Sequence, residues 1–472
     1  MKKVSTKREQ WNTRLGFILA AAGSAVGLGN LWGFAYRASQ GGGASFLILY
    51  ILIVLIVCLP VFIAELALGR NSSSSALLAP VILAGKRWFP LGLLFFIASL
   101  GIASYYSVIM GWTADTLFHS LFFGLPENLS EAEDFFGSIS TGSSVLLGHT
   151  LSLVLTASIV SSGIKKGIEK ITKFFMPILF ILIIVLAVWA IFLPGAWEGY
   201  KTFLFKFDLN EMRNPTTIRN AFTQAFFSLS LGIGVMVTYA SYLKRRNPLP
   251  QLSIRVATLD TFVGLMAGFI TFPIVYTFGL NEAISDSTVG ALFISIPTGL
   301  GAYGIAGRIV AILFFALAYI AAITSSVSLL EVPVSSLIDK YGFKREKSVW
   351  IITFFLFLAG IPSALNLNIL SIVDSIFGGV LLILGGLLVS YLMGWVVPNK
   401  FDEELRSLIS MILSSGKFSF LKLIVFSKKF ILCGPVFLKK GLVINKFNIK
   451  TYFKSLSRFI ANYFLSTIVA DH

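Results

Sequence analysis

Ten apolar runs divide this chain, each long enough to cross a bilayer. They lie at about 15–38, 44–68, 91–123, 145–162, 171–193, 218–243, 254–280, 304–338, 347–364 and 369–397, and are numbered here as spans 1 to 10. Only 13% of the residues are charged and mean hydropathy is +0.85, whereas a soluble domain carries roughly 25% charge. The chain reads as an all-α integral membrane protein. Within hydrocarbon every backbone N–H and C=O must be paired inside the protein, so such a run is helical unless something else holds its backbone. A cleaved signal peptide at 15–38 is the weaker reading, because the run is too long and continues into patterned sequence.

A net charge of +16 raises the question of nucleic acid, and its distribution answers it. Lys and Arg fall in alternate connections: Lys2, Lys3, Lys7 and Arg8; Arg70, Lys86 and Arg87; Lys165, Lys166 and Lys170; Lys244, Arg245, Arg246 and Arg255; Lys340, Lys344, Arg345 and Lys347. The stretches 124–144 and 281–300 carry Glu and Asp without a base, and 194–217 is the exception, with mixed charge. That alternation is the positive-inside pattern of a multi-pass protein with a cytoplasmic N-terminus, not a nucleic-acid face. An even number of spans returns the chain to the same side. With 3 His and 2 Cys, no metal-ligand cluster can be assembled, and Cys58 and Cys433 read as packed thiols.

Span 1 is interrupted at mid-depth by Gly23-Ser-Ala-Val-Gly-Leu-Gly-Asn30. Each Gly costs about 1 kcal/mol in a helix interior. An unwound segment here needs partners for its freed groups: a cation for the carbonyls, a carboxylate for the amides. A close-packed helix face is the alternative. Span 6 repeats the interruption at Ser228-Leu-Ser-Leu-Gly-Ile-Gly234. Five spans separate the two, and an odd offset reverses direction, so spans 1–5 and 6–10 form an inverted repeat with one broken helix in each half.

Polar residues inside other spans add to this. Span 8 carries Thr324-Ser-Ser326, able to complete the oxygen shell of a small cation or, equally, to bond back to its own helix. Span 3 carries Tyr105 and Tyr106, whose phenols need partners. Asp260 in span 7 is an intramembrane carboxylate and functional by default. Asp374 in span 10 is either a weaker case of the same kind or solvated.

The segments Arg8 to Gly16, Gly23 to Trp32, Gly41 to Gly43, Glu65 to Arg70, Ser162 to Glu169, Phe227 to Gly234, Thr238 to Tyr242 and Thr324 to Ser326 resemble the neurotransmitter:sodium symporter family, of bacterial leucine-transporter-like type, in order from residue 8 to about 397. The resemblance implies one sodium site from Gly23, Val26, Ala321, Thr324 and Ser325, and another from Ala25, Asn30, Ser228 and Asp260 with the substrate's carboxylate. It implies a substrate carboxylate on Leu28, Gly29 and Tyr106, an amine on Ala25, Phe227 and Ser230, and a side-chain pocket of Ile102, Phe227, Ile233, Ser325 and Leu329. Gly27 stands where amine-transporting relatives carry an acid, so an amino acid, apolar or aromatic, is the expected substrate. The carboxylate of Asp260 suggests that chloride is not required. The inner gate is expected at Arg8, Trp11, Ser241, Tyr242 and Asp339.

Two departures stand out. Gly33 replaces the usual outer-gate arginine while Asp374 remains, and Arg37, one helical turn further out, is the candidate substitute partner. Residues 398–472 interrupt each apolar run with Lys or Arg, so they form a basic interfacial tail or a degenerate eleventh helix. The expected organisation is a 1–14 cytoplasmic segment, a 15–193 repeat, a 194–217 extracellular loop, a 218–397 repeat and that tail.

The sequence thus points to a sodium-coupled amino-acid symporter of the plasma (inner) membrane. A non-transporting amino-acid sensor that kept the sites is the second reading, motivated by Gly33. An enzyme is disfavoured by the lack of a nucleophile–base pair, and a channel by the lack of a continuous polar pore.

Overall fold

The computed structural model describes residues 8–245, 247–279, 291–399 and 401. Lys2, Lys3, Lys7, Arg246, Glu282, Asp286, Cys433 and nearly all of the basic tail lie outside the described residues.

Eight spans are continuous: Ala44–Ser72, Lys86–Phe122, Gly142–Ser161, Ile164–Ile191, Leu249–Phe278, Gly304–Tyr341, Arg345–Leu365 and Leu367–Val396, which are spans 2 to 5 and 7 to 10. Span 1 is a bent pair, Arg14–Ala25 and Gly29–Gln40, meeting at 60°. Span 6 is Pro215–Ser228 followed, after a non-helical link, by Val235–Ala240. Among the described residues there is no strand, and the fold is the inverted five-plus-five repeat with both first helices broken. Spans 2 and 8 are the most enclosed, with 67% of their apolar windows buried, and spans 5 and 10 the least, at 33%. The middle of the bundle is therefore built on spans 1, 2, 6 and 8, and the periphery presents apolar side chains outward.

Local chemistry explains the ends. Thr13 caps span 1 by accepting from Gly16 N at 2.9 Å. Glu169, at the start of span 5, takes the remaining free donors Asn12 N (2.7 Å), Thr13 N (3.2 Å) and Thr13 Oγ1 (2.8 Å). The connection 194–217 departs from a plain loop: it holds short helical pieces at Ala196–Tyr200, Lys201–Phe205 and Leu209–Arg213. Span 6 starts three residues before the apolar run because Asn214 caps it, accepting from Thr216 N at 3.0 Å, with Pro215 at the first helical position.

The break in span 6 is fixed by backbone fit. Gly232 has φ 80°, and a Cβ there would lie 1.8 Å from the Leu382 carbonyl oxygen; the facing Gly385 would put its own Cβ 2.0 Å from Gly232 O. Two glycines on spans 6 and 10 thus let backbone meet backbone. Glu65 of span 2, fully buried, accepts from Gly232 N at 2.6 Å and supplies a partner that the unwound strand lacks.

Candidate ion and substrate site

The two breaks face one another across the bundle centre. The helix of span 1 ends at Ala25: Val26 N–H still donates to Ala22 O at 2.7 Å, but Val26 itself is extended at φ −80° and ψ 93°. The carbonyls around it turn toward span 8, where Ser325 Oγ lies 3.3 Å from Gly23 O, 3.2 Å from Ser24 O and 3.5 Å from Val26 O. Thr324 Oγ1 bonds back to Ala321 O at 3.0 Å and Ile320 O at 3.2 Å. Thr324 thus bonds back to its own helix, while Ser325 reaches across to the carbonyls of span 1.

Beside it, Asp260 is fully buried. Its carboxylate accepts from Asn30 Nδ2 at 2.6 Å, Ser228 Oγ at 2.7 Å and Tyr50 OH at 3.4 Å. No Lys, Arg or His among the described residues pairs with it. Asn30 Oδ1 is buried and has no hydrogen-bond partner. A buried carboxyl beside an unused carbonyl-type oxygen gathers acceptor oxygens with no cation of the protein's own, a donor set that suits a sodium ion.

The cavity alongside is lined by Ser24, Ala25, Gly27, Asn30, Ile102, Tyr106, Phe227, Ser230, Ile233, Ser325, Ser328, Leu329 and Leu382. Of the substrate residues expected from sequence, Leu28 and Gly29 do not line it, but Leu28 N donates to Tyr106 OH at 3.2 Å and Gly29 O accepts from Gln224 Nε2 at 3.2 Å. The reading of single residues missed Ser24, Ser328, Leu382, Gln224 and Glu65. An acidic residue in an apolar run was the signal that would have found Glu65; nothing local marked Ser328 or Leu382, which enter only because spans 8 and 10 cross the breaks.

At the Arg8 end the closure is complete. Arg8 Nη1 meets both oxygens of Asp339 at 2.8 and 2.7 Å, and its Nε and Nη2 donate to Ser241 Oγ at 3.2 and 2.7 Å. The guanidinium lies 4.7 Å over the Tyr242 ring. Trp11 is held by Tyr239 O at 2.9 Å through Nε1 and by Tyr242 O at 3.2 Å through its backbone N–H. A second layer runs from Tyr242 OH to Glu331 at 2.6 Å, and from Glu331 to Arg345 at 2.7 Å.

The opposite end differs from expectation: Arg37 and Asp374 form no ion pair. Arg37 donates instead to Gln224 Oε1, and Tyr105 OH donates to Asp374 at 2.6 Å. Space explains the exchange. A Cβ on Gly33 would lie 2.8 Å from Arg37 Nη1, so the guanidinium folds back over the position left bare by Gly33 and meets Gln224 first.

Comparison with known proteins gives a consistent picture. A family model described as the sodium:neurotransmitter symporter family matches residues 8–134 and 131–456. An uncharacterized sodium-dependent transporter of Methanocaldococcus jannaschii is 35% identical over 424 residues, 85% of each chain. One of Bacillus subtilis is 34% identical over 417 residues, 84% of this chain and 89% of that relative. Among solved structures, a crystal structure of MhsT in complex with L-phenylalanine aligns with a TM-score of 0.80 and 34% identity, over 98% of this chain and 100% of that one.

Proposed function

This chain belongs to the sodium:neurotransmitter symporter family, and we propose that it carries a neutral α-amino acid inward together with sodium. It is a multi-pass sodium-dependent transporter and not an enzyme. The observation that carries the amino-acid reading is the placement of two polar groups at the breaks: the buried Asp260 carboxyl beside the unpartnered Asn30 Oδ1, and Tyr106 OH, which lines the cavity and meets the Leu28 N–H. The first asks for a cation and the second for an anion. A zwitterion beside a sodium ion answers both, and a carboxylate shared between ion and protein couples their binding.

Sodium is cargo here. The Asp260 site comprises Ala25, Asn30, Ser228 and Asp260; the uncharged site comprises Gly23, Val26, Ala321, Thr324 and Ser325. The amine of the substrate is assigned to the carbonyls of Ala25 and Phe227 and to Ser230 Oγ. The side chain lies against Ile102, Phe227, Ile233 and Leu329, walls that suit an apolar or aromatic body. That the similar MhsT was solved with L-phenylalanine supports this assignment. A Cβ on Gly27 would fall 2.8 Å from Ser325 Oγ, so a side chain here would crowd the cavity, and the carboxylate is assigned to the substrate. With a fixed carboxylate at Asp260, chloride has no role at this site. The Arg8 end is the cytoplasmic end of a plasma-membrane protein, and its Asp339 ion pair opens to release cargo.

The test is radiolabelled amino-acid uptake into proteoliposomes with an imposed sodium gradient, run with Leu, Ala, Met, Phe, Tyr and Trp in chloride and in gluconate. Sodium-driven accumulation, equal in both anions and abolished in Thr324→Val/Ser325→Ala, is expected. Sodium-dependent binding without accumulation overturns it in favour of a sensor.

A further inference from the structure

The assignments above leave two hydroxyls of the cavity without a task. Ser24 and Ser328 both line it, and their oxygens are 2.6 Å apart. Ser24 Oγ is also 3.2 Å from Ser230 Oγ. Each proton of this trio has an acceptor inside the protein. Ser230 donates to Ser24 O at 2.8 Å, Ser328 donates to Ser325 O at 2.7 Å, and Ser24 donates to Ser328 or Ser230. If the short Ser24–Ser328 contact runs the other way, Ser24 still passes its proton to Ser230. In either arrangement the trio presents surplus lone pairs and no free donor.

A substrate amine brings three donors, and the Ala25 carbonyl, the Phe227 carbonyl and Ser230 Oγ use them all. Ser24 and Ser328 therefore present to the cavity acceptors that an all-carbon side chain leaves unmatched. Ser24 lies one hydrogen bond from the amine contact at Ser230, and Ser328 one further. A hydroxyl on the β-carbon is the side-chain donor nearest an α-amine, whereas a phenol or an indole carries its donor several bonds further out. The remaining walls, Ile102, Ile233 and Leu329, accept a methyl.

We propose that Ser24 and Ser328 form a specificity subsite that selects β-hydroxy amino acids, threonine and serine, over their all-carbon isosteres valine and alanine. The proposal rests on the amino-acid symport reading and concerns the choice between small side chains of equal size, not the choice between these and the larger apolar or aromatic ones. The hydroxyl donates its one proton to Ser24 Oγ or Ser328 Oγ while its carbon neighbours stay on the apolar walls.

The experiment uses the full chain in proteoliposomes with a sodium gradient and measures competition in matched pairs: threonine with valine, serine with alanine, tyrosine with phenylalanine. Wild type is expected to favour threonine and serine by about tenfold, the scale of one neutral hydrogen bond in a buried site. Ser24→Ala and Ser328→Ala should each bring those ratios toward one, and because the readout is a ratio it does not depend on how much variant folds; a sodium-dependent rise in melting temperature verifies that the measured fraction is native. Sodium-driven uptake with no threonine preference overturns the subsite and leaves symport standing. A tyrosine-over-phenylalanine preference alone also overturns it, since the donor would then lie far from the amine. Variants that weaken threonine and valine equally assign these hydroxyls to the amine instead. Absence of sodium-dependent uptake for every amino acid overturns symport and subsite together.

Discussion

Replacing Asp260 by Asn removes one charge and turns one acceptor oxygen into an NH2 donor, which the Ser228 and Tyr50 hydroxyls can accept by rotating. The side chain is fully buried, and its partners Asn30 Nδ2, Ser228 Oγ and Tyr50 OH, at 2.6, 2.7 and 3.4 Å, are all neutral donors. A unit charge and a cation about 4 Å apart attract by about 4 kcal/mol at an effective dielectric constant of about 20. An amide keeps an oxygen ligand without that attraction and is cheaper to bury; taking half of the gain as offset by desolvation leaves a loss of about 2 kcal/mol. That is about 30-fold in sodium affinity. Because an ion that binds only the folded state stabilises it in proportion to the logarithm of its affinity, the same loss appears as about 2 kcal/mol less stabilisation by saturating sodium. The assay is thermal unfolding of detergent-purified protein in choline chloride and in sodium chloride, with a sodium titration. In choline, Asp260→Asn should melt no lower than wild type, since an unpaired buried charge has gone. In sodium, the wild-type increment should shrink and the half-saturating concentration should rise by one to two decades. If the variant shows the wild-type sodium increment, or melts lower by the same amount in both salts, Asp260 is a hydrogen-bonding residue and not an ion ligand.

Three further outcomes follow from the geometry. Gly232→Ala sets a Cβ 1.8 Å from Leu382 O at φ 80°, a cost of about 3 kcal/mol or more. Little monodisperse protein should be recovered by size-exclusion chromatography, and a wild-type profile refutes the backbone-contact account. Arg8→Ala breaks the bidentate contact with Asp339; equilibrium substrate binding should persist while accumulation collapses through leak, and undiminished accumulation removes this pair as a gate. Arg37→Ala removes the charged contact to Gln224, of a kind that contributes about 1.5–3 kcal/mol. Substrate dissociation toward the Asp374 side should speed by about tenfold if this contact braces the outer half of span 1 against span 6, and an unchanged rate in a pre-steady-state release assay shows that it does not.

The membrane class and the places where two spans break were legible in the sequence, because these rest on one-dimensional quantities: apolar run length, low charge, and Gly or Ser where hydrocarbon penalises unpaired backbone. The family followed from long ordered motifs in both halves. What only the tertiary structure decided is which groups meet. Asn30 Oδ1 is left without a partner because Nδ2 of the same amide turns to Asp260, a matter of side-chain orientation that no spacing encodes. Ser328 and Leu382 join the cavity because spans 8 and 10 cross the breaks from the far end of the chain. Arg37 turns to Gln224 rather than Asp374 because Gly33, four residues earlier, leaves open the volume into which the guanidinium folds. A membrane helix is legible from its own residues, since the bilayer acts on each run separately. A site is assembled from several runs, and its hydrogen-bond partners are chosen by competition in three dimensions.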